Sequence, residues 1–129
     1  MWPFAKCKDL GRRGEDVARR FLKGQGLKIL ARNYRCRAGE VDLIALDRST
    51  RRQMGAETVA FVEVKTRSSD QYTDPEYAVD ARKRDHLVKV ARHYLAHHDA
   101  ADLNVRFDVL AIVISGGEKP QVKYIPNAF

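Results

Sequence analysis

The order of the periodic segments predicts an α/β fold in which a mixed β-sheet is flanked by helices, with elements in the order α-β-β-β-α-β-β. Apolar residues recur at helical spacing in Gly11–Lys23 and Pro75–His98, and five shorter runs rich in Val, Ile and Phe lie between and after them. A helix between the third and fourth strands lets that pair run parallel, whereas the first three strands can pair as antiparallel hairpins. A chain of 129 residues can bury a core of its own, so residues 1–129 are expected to form a single domain.

Each element is predicted from its pattern of apolar and turn-forming residues. The helices carry apolar stripes formed by Val17, Ala18, Phe21 and Leu22 in the first and by Leu87, Val90, Ala91, Tyr94 and Leu95 in the second. The strands are expected at Leu27–Arg35, Glu40–Leu46, Thr58–Thr66, Val105–Ile114 and Gln121–Ile125. The second and fourth are nearly all apolar, which is typical of strands buried on both faces, and the fifth is expected at the sheet edge. Polar residues and Gly55 in Asp47–Glu57 indicate a hairpin loop.

The composition narrows the class of partner. The formal net charge is +7, and a basic excess favours nucleic acid, an anionic membrane surface or an acidic protein, although a solvated basic surface explains it equally well. No signal-peptide pattern follows Met1–Phe4, and no segment is long enough to span a membrane. Cys7 and Cys36 lie far apart without metal-ligand spacing, so we expect reduced thiols. These features predict a soluble, cytoplasmic protein without membrane association.

The segment Phe61–Lys65 places two charged residues in a run that otherwise has the pattern of a buried strand. Because strand side chains alternate between faces, Glu63 and Lys65 point the same way and Val62 and Val64 point the other. Two charges on one face of a core strand cost free energy unless they are paired or do chemistry. A cross-strand ion pair or an exposed face explains Lys65 well, since its stem can reach solvent, but it explains Glu63 less well.

Asp42 lies at the beginning of the buried second strand, within the segment Gly39–Ala45. Alone it is a weak signal, because an arginine or a turn could satisfy its carboxylate. If the second and third strands pair as a hairpin, however, Asp42 and Glu63 can meet across the ladder. Two carboxylates form a hard oxygen site suited to Mg²⁺ or Mn²⁺, and Lys65 beside them can orient or deprotonate an attacking water. The set predicts a metal-dependent site that cleaves phosphodiester bonds.

Four further residues are candidate members of the site. Glu15 lies at the edge of the first helix's apolar stripe and is either a catalytic carboxylate or a favourable charge near a helix N-terminus. Lys83 begins the inward stripe of the second helix, where its ammonium could bind a substrate phosphate. Arg12 and Arg19 lie on the polar face of the first helix and are candidate nucleic-acid contacts. The alternative for these basic residues is a solvated surface.

Taken together, four motifs resemble the YraN-type endonuclease-like family of small bacterial proteins. The motifs are Gly14-Glu15, Asn33-Tyr34-Arg35, Gly39–Ala45 and Phe61–Arg67. The resemblance extends from Gly11 to about Leu110 with the motifs in the same order. It implies the restriction-endonuclease-like (PD-(D/E)XK) fold, similar to that of archaeal Holliday-junction resolvases. The chain lacks the proline of the superfamily name, and Glu40-Val41-Asp42 is the usual form in this family.

The resemblance also implies roles for individual residues. Asp42 and Glu63 would be metal ligands, Lys65 the catalytic lysine of the motif, and Glu15 the additional helix carboxylate of resolvase-like members. Lys83 falls where related enzymes often place a helix Gln or Lys. These assignments agree with the site expected from the residues themselves.

Three functions are therefore weighed. The leading hypothesis is a Mg²⁺- or Mn²⁺-dependent DNA endonuclease, with branched or otherwise structured DNA as a candidate substrate. The alternative is a non-catalytic nucleic-acid-binding or adaptor protein on a nuclease fold, and a weaker third is a stabilising charge set in a protein whose ligand is another protein. The sequence leaves DNA or RNA open. A homodimer is also open, and Gln121–Phe129 is apolar enough to be its contact.

Overall fold

The computed structural model describes residues 3–68, 81–100 and 102–129. The helices are α1 (Pro3–Gly24), α2 (Arg51–Met54) and α3 (Ala81–His97), and a 3-10 helix spans Arg48–Thr50. The strands are β1 (Lys28–Cys36), β2 (Gly39–Asp47), β3 (Thr58–Ser68), β4 (Asn104–Ile114) and β5 (Gln121–Ile125). None of the helices in the described part of the chain is both long enough and apolar enough to cross a membrane.

Five strands form one mixed sheet in the order β1-β2-β3-β4-β5. β1, β2 and β3 pair as antiparallel neighbours, β3 and β4 run parallel, and β5 pairs antiparallel with β4 at the edge. The parallel pair requires a crossover, and the connection containing α3 provides it. The predicted α/β fold and its order of elements are confirmed, with two short helices added between β2 and β3. This architecture is compatible with a nuclease-like fold.

Each face of the sheet buries a core of its own. On the α1 face, Leu22 of α1 packs with Leu43 and Val62. On the α3 face, Val90 of α3 packs with Phe61. Each fully buried side chain of this size contributes roughly 1.5–3 kcal/mol to folding. The alternation predicted for β3 is confirmed, because Phe61 and Val62 belong to different cores.

The first helix begins earlier than its sequence pattern suggests. It starts at Pro3 and continues through Gly11, which we expected to be its first residue. Proline is tolerated in the first turn, since its missing N–H would have no partner there. A glycine inside a helix costs only about 1 kcal/mol relative to alanine, which the packing of the later turns can offset. The predicted start was wrong here because the apolar stripe on which it rests begins only at Val17.

The connection between β2 and β3 is more ordered than the hairpin loop that was predicted. The Asp47 carboxylate accepts a hydrogen bond from the Ser49 backbone N–H at 3.0 Å and so caps the 3-10 helix. One helical turn follows and ends at Gly55, whose φ of 77° suits glycine. At the other helix, the structure describes α3 from Ala81, and the predicted residues 75–80 lie outside the described part of the chain.

Helix α1 contacts β3 at Gly14, which is buried. A Cβ atom on Gly14 would lie 1.9 Å from Thr66 Oγ1 and 2.8 Å from Thr66 Cβ and Cγ2. No real carbon approaches so closely, so packing against β3 requires glycine at this position. The contact fixes α1 against the part of β3 that follows Glu63 and Lys65.

We expect Gly14→Ala to destabilise the protein by about 1–3 kcal/mol, because either the helix or Thr66 must move. The matched control is Gly11→Ala in the same helix, where an added Cβ has nothing within 4 Å. That change should stabilise the fold by about 0.5–1 kcal/mol through helix propensity. Urea denaturation of the two variants measures both effects, and equal shifts would contradict the proposed contact.

A buried ion-pair network joins β2, β4 and β5 on the α1 face. Asp108 is 1% exposed and accepts hydrogen bonds from Arg106 Nε at 2.9 Å, from the Tyr124 hydroxyl and from the Asn127 backbone N–H at 2.8 Å. Arg106 Nη1 also donates to Asp47 Oδ2 at 2.9 Å. Burial, and then the Asp108 carboxylate, raise the pKa of the Tyr124 hydroxyl, which therefore keeps the proton that it donates. Sequence analysis missed this network, because its residues come from three separate strands.

Asp108→Ala should lower the free energy of unfolding by about 3–5 kcal/mol, because the Arg106 guanidinium loses its buried carboxylate partner. Tyr124→Phe removes a single hydrogen bond and should cost only about 1 kcal/mol. Guanidinium denaturation of both variants tests the difference. If Asp108→Ala costs no more than Tyr124→Phe, Asp108 does not organise the network.

Candidate active site

The candidate site lies where β2 and β3 separate. Their ladder runs from Asp47 opposite Thr58 to Leu43 opposite Val62, and the next residue on each strand is Asp42 or Glu63. Asp42 Oδ2 accepts a hydrogen bond from the Val64 backbone N–H at 2.8 Å. This bond holds the Asp42 carboxylate against β3, beside the carboxylate of Glu63. The expected meeting of Asp42 and Glu63 depends on antiparallel pairing of β2 with β3. This pairing is confirmed.

Glu63 is the most buried acid of the site, at 7% exposure. It lies on the α3 face, where Lys83 Nζ of α3 approaches Glu63 Oε2 at 3.3 Å. The separation is that of an ion pair, yet Oε2 is buried and makes no directed hydrogen bond. Lys65, two residues further along β3, faces the same way and contacts Lys83. The structure thus brings together Asp42, Glu63, Lys65 and Lys83.

The charges in this cluster shift one another's protonation. Burial raises the pKa of Asp42 to about 7, and the nearby Glu63 carboxyl group adds to the rise, against the opposing effect of the Val64 N–H. Burial and the neighbouring Lys83 ammonium lower the pKa of Lys65. Burial also acts to lower the pKa of Lys83, but its contact with Lys65 and the attraction of Glu63 outweigh burial and raise it. Of the two amines, Lys65 is therefore the one that gives up its proton more readily.

The donor set of the cluster fits a hard divalent cation. Burial and the neighbouring Glu63 carboxyl group raise the pKa of Asp42. A positive charge between the two carboxylates would stabilise their ionised forms. Within the described residues, no group of three or more His, Cys, Asp or Glu side chains could hold a metal ion. Two carboxylates still suit Mg²⁺, which keeps several water ligands and is commonly bound through one or two carboxylates. Asp42 and Glu63 are the residues that would hold it.

Glu15 on α1 contacts Asn33 of β1. Its two carboxylate oxygens accept hydrogen bonds from Asn33 Nδ2 at 3.2 and 3.3 Å. Asn33 lies in β1 between the pairs Arg32–Leu43 and Tyr34–Val41, which puts it beside Asp42 in the ladder. Its φ of 49° breaks the strand alternation. Glu15 is thus bonded to β1, the strand that neighbours the one carrying Asp42.

The two arginines proposed as nucleic-acid contacts differ in their surroundings. Arg12 is exposed on α1. Arg19 is partly buried, with its side chain 27% exposed, and Arg19 Nη2 donates to Asp16 Oδ1 at 2.7 Å. Arg12 is therefore the more accessible of the two to a phosphate.

The histidines of α3 lie outside the carboxylate cluster. His93 and His97 have metal-ligand spacing, but among the described residues no third His, Cys, Asp or Glu is grouped with them. His93 Nδ1 is hydrogen-bonded to the Tyr34 hydroxyl at 2.6 Å, and the two imidazole rings stack with centroids 4.1 Å apart. These contacts connect α3 with β1.

The chain end packs on its own sheet. The Phe129 and Phe107 rings stack with centroids 5.1 Å apart, and the Ala128 N–H donates to the Phe107 carbonyl at 2.7 Å. Part of the apolar surface of Gln121–Phe129, the segment considered as a dimer contact, is thereby covered within one chain.

Sequence analysis missed two contacts that shape the site. One is the bond between Asn33 and Glu15, and the other is the ion pair between Lys83 and Glu63. Asparagine is depleted in strands, so Asn33 within a predicted strand was a usable signal for the first contact. The second depends on where α3 lies on the sheet, which the sequence does not specify.

These features define an α/β protein whose mixed sheet is compatible with a nuclease-like fold and which carries an acid–lysine cluster where two strands separate. The chain belongs to the family described as "Uncharacterised protein family UPF0102", the YraN-type group, which it matches over residues 14–112. It is similar to a UPF0102 protein of Geobacter metallireducens, with 43% identity over 122 residues that cover 95% of this chain and 93% of that protein. It is also similar to a UPF0102 protein of Nocardia farcinica, with 41% identity over 93% of this chain and 88% of that protein. A UPF0102 protein of Myxococcus xanthus is 39% identical over 97% of this chain and 92% of its own length.

The raised pKa of Asp42 predicts how stability depends on pH in the metal-free protein. Since its pKa in the folded state is about 7 and in an unfolded chain about 3.9, the folded state binds more protons between these values. The contribution of Asp42 to stability should then be greatest below about pH 4 and fall as pH rises towards 7. Asp42→Asn keeps an acceptor for the Val64 N–H without the charge. In EDTA at pH 8 it should be more stable than the wild type, by on the order of 1–3 kcal/mol.

Thermal unfolding at pH 5, 6.5 and 8 measures this difference, and the advantage of Asp42→Asn should shrink towards pH 5. Glu40→Gln is the control, because Glu40 is exposed and pairs with Arg35 at the surface. A constant difference between Asp42→Asn and the wild type at all three pH values would contradict the assignment.

Proposed function

We propose that this protein is a metal-dependent nuclease that hydrolyses phosphodiester bonds of DNA, with branched or otherwise structured DNA as the candidate substrate. The observation that carries the proposal is the buried Asp42–Glu63 pair with Lys65 on the same face, in a chain of net charge +7. Membership of the YraN-type group agrees with this function but does not itself name an activity.

Each residue has a distinct chemical role in this proposal. Asp42 and Glu63 hold Mg²⁺ or Mn²⁺, which when bound polarises a phosphoryl oxygen and lowers the pKa of a coordinated water. The Val64 N–H fixes the orientation of the Asp42 carboxylate at 2.8 Å. Lys65 orients the attacking water or helps to deprotonate it, and offsets charge on the transition state.

Exposed cations on both long helices are available for the phosphate backbone of the substrate. Arg82 and Arg84 are exposed in the first turns of α3, next to Lys83, and Arg12 is exposed on α1. Arg84 also lies over the Phe129 ring, 5.3 Å from its centroid. Such contacts position a nucleic acid without reading its sequence. They suit an enzyme that selects the structure of its substrate more than its bases.

The proposal is tested with labelled single-stranded, duplex, flap and four-way-junction DNA, each incubated with Mg²⁺, Mn²⁺ or EDTA. We expect Lys65→Met to lower the cleavage rate about 10²–10⁴-fold, the usual contribution of a general base, while DNA binding stays largely intact. Glu63→Gln should remove metal-dependent cleavage for lack of a ligand. Glu40→Gln is the matched control and should cleave like the wild type. Cleavage that persists in Glu63→Gln, or that proceeds in EDTA, would contradict the mechanism.

One contact supports a second candidate, a nucleic-acid-binding protein without catalysis. Because Lys83 pairs with Glu63 at 3.3 Å, the cluster has a counter-ion within the protein itself. In that case DNA binding should weaken steeply with salt and be indifferent to EDTA. Binding of this kind without cleavage of any substrate in the panel would favour the second candidate.

A further inference from the structure

The ion pair between Lys83 and Glu63 has the geometry of a contact that can be exchanged. The Lys83 side chain is 38% exposed and reaches from the surface to a carboxylate whose side chain is 8% exposed. Its Nζ lies 3.3 Å from Glu63 Oε2, but that oxygen makes no directed hydrogen bond. The pair is therefore held by charge and not by a well-aligned bond, and the Lys83 ammonium is carried on a flexible four-carbon stem.

The balance of charge explains why a cation is needed at this position. Asp42 and Glu63 are adjacent and largely shielded from water, and two carboxylates in such a place repel each other. Lys65 and Lys83 bring two ammonium groups to them, so the formal charges of the cluster cancel. Without Lys83, the buried Glu63 oxygen would lose the cation that faces it.

A divalent cation bound by the two carboxylates would change this balance. It would compete with Lys83 for the Glu63 carboxylate, and two cations at one carboxylate repel each other. Lys83 is the partner that can leave, since Lys65 is anchored on β3 and Lys83 has a partly exposed stem on α3. After leaving, its ammonium would still lie at the rim of the cluster, where the phosphate of a bound polyanion would be placed.

We propose that Lys83 is the built-in counter-ion of the metal-free site, that a divalent cation displaces its ammonium from Glu63, and that the released ammonium then binds a substrate phosphate. The inference rests on the proposed function, because it requires the Asp42–Glu63 pair to bind a metal. It makes Lys83 a positioning residue that couples the metal to the nucleic acid. Each ligand should then tighten the binding of the other.

The first test is calorimetric titration of the metal-free protein with Mn²⁺. Lys83→Gln should bind Mn²⁺ about 5–10-fold more tightly than the wild type, because the competing cation is gone. In EDTA the same variant should melt at a lower temperature, and saturating Mn²⁺ should restore the loss. Lys89→Gln, which removes an exposed charge elsewhere on the same helix, is the control and should resemble the wild type on both counts.

A second measurement uses the unaltered protein and so does not depend on how a variant folds. Acetic anhydride labels accessible lysine amines, and mass spectrometry gives the rate for each lysine. Saturating Mn²⁺ should raise the rate at Lys83 about twofold or more, as its ammonium leaves Glu63, and should leave that of the exposed Lys89 on the same helix unchanged.

The outcomes separate this inference from the function on which it rests. Equal Mn²⁺ affinity in the wild type and Lys83→Gln, with unchanged labelling of Lys83, would overturn the displacement while leaving a metal-binding site in place. Absence of Mn²⁺ binding in both proteins would overturn the displacement and the proposed function together.

Discussion

The structure of this protein depends on one electrostatic constraint, which is the placement of two neighbouring carboxylates where β2 and β3 separate. Asp42 is tied to β3 by the Val64 N–H, and Glu63 is almost wholly buried. Such a pair costs folding free energy in the absence of a cation, since each charge is desolvated and repels the other. A fold selected for stability alone would not be expected to keep this arrangement.

The surrounding elements hold the pair in place from both faces of the sheet. On the α1 face, Gly14 allows α1 to touch β3 at Thr66, just beyond the charged residues. On the α3 face, α3 delivers Lys83 to the cluster. The network around Asp108 is a contrasting case, because its buried charge is satisfied by several hydrogen bonds. Among the described residues, Asp108 is thus satisfied by hydrogen bonds, whereas the buried Oε2 of Glu63 has an ion pair with Lys83 and no hydrogen bond.

The sequence predicted the fold well because its signals are local. Alternation in β3 and the stripe of α3 each depend on neighbouring residues, and both are confirmed. The pairing of β2 with β3 followed from a hairpin connection, and it brought Asp42 next to Glu63 as expected. The start of α1 was mispredicted, since the apolar stripe that identified this helix begins only at Val17. The ion pair of Lys83 with Glu63 and the Asn33–Glu15 bond depend on tertiary placement, which no local pattern encodes.

The most direct test of the central claim is a crystal structure of the protein soaked with Mn²⁺, with the ion located by its anomalous scattering. The account predicts a single strong peak between the carboxylates of Asp42 and Glu63, bonded to both, with Lys83 Nζ turned away from Glu63. If crystals soaked in saturating Mn²⁺ showed no anomalous peak between these carboxylates, and the Lys83–Glu63 ion pair were unchanged, the account would be contradicted.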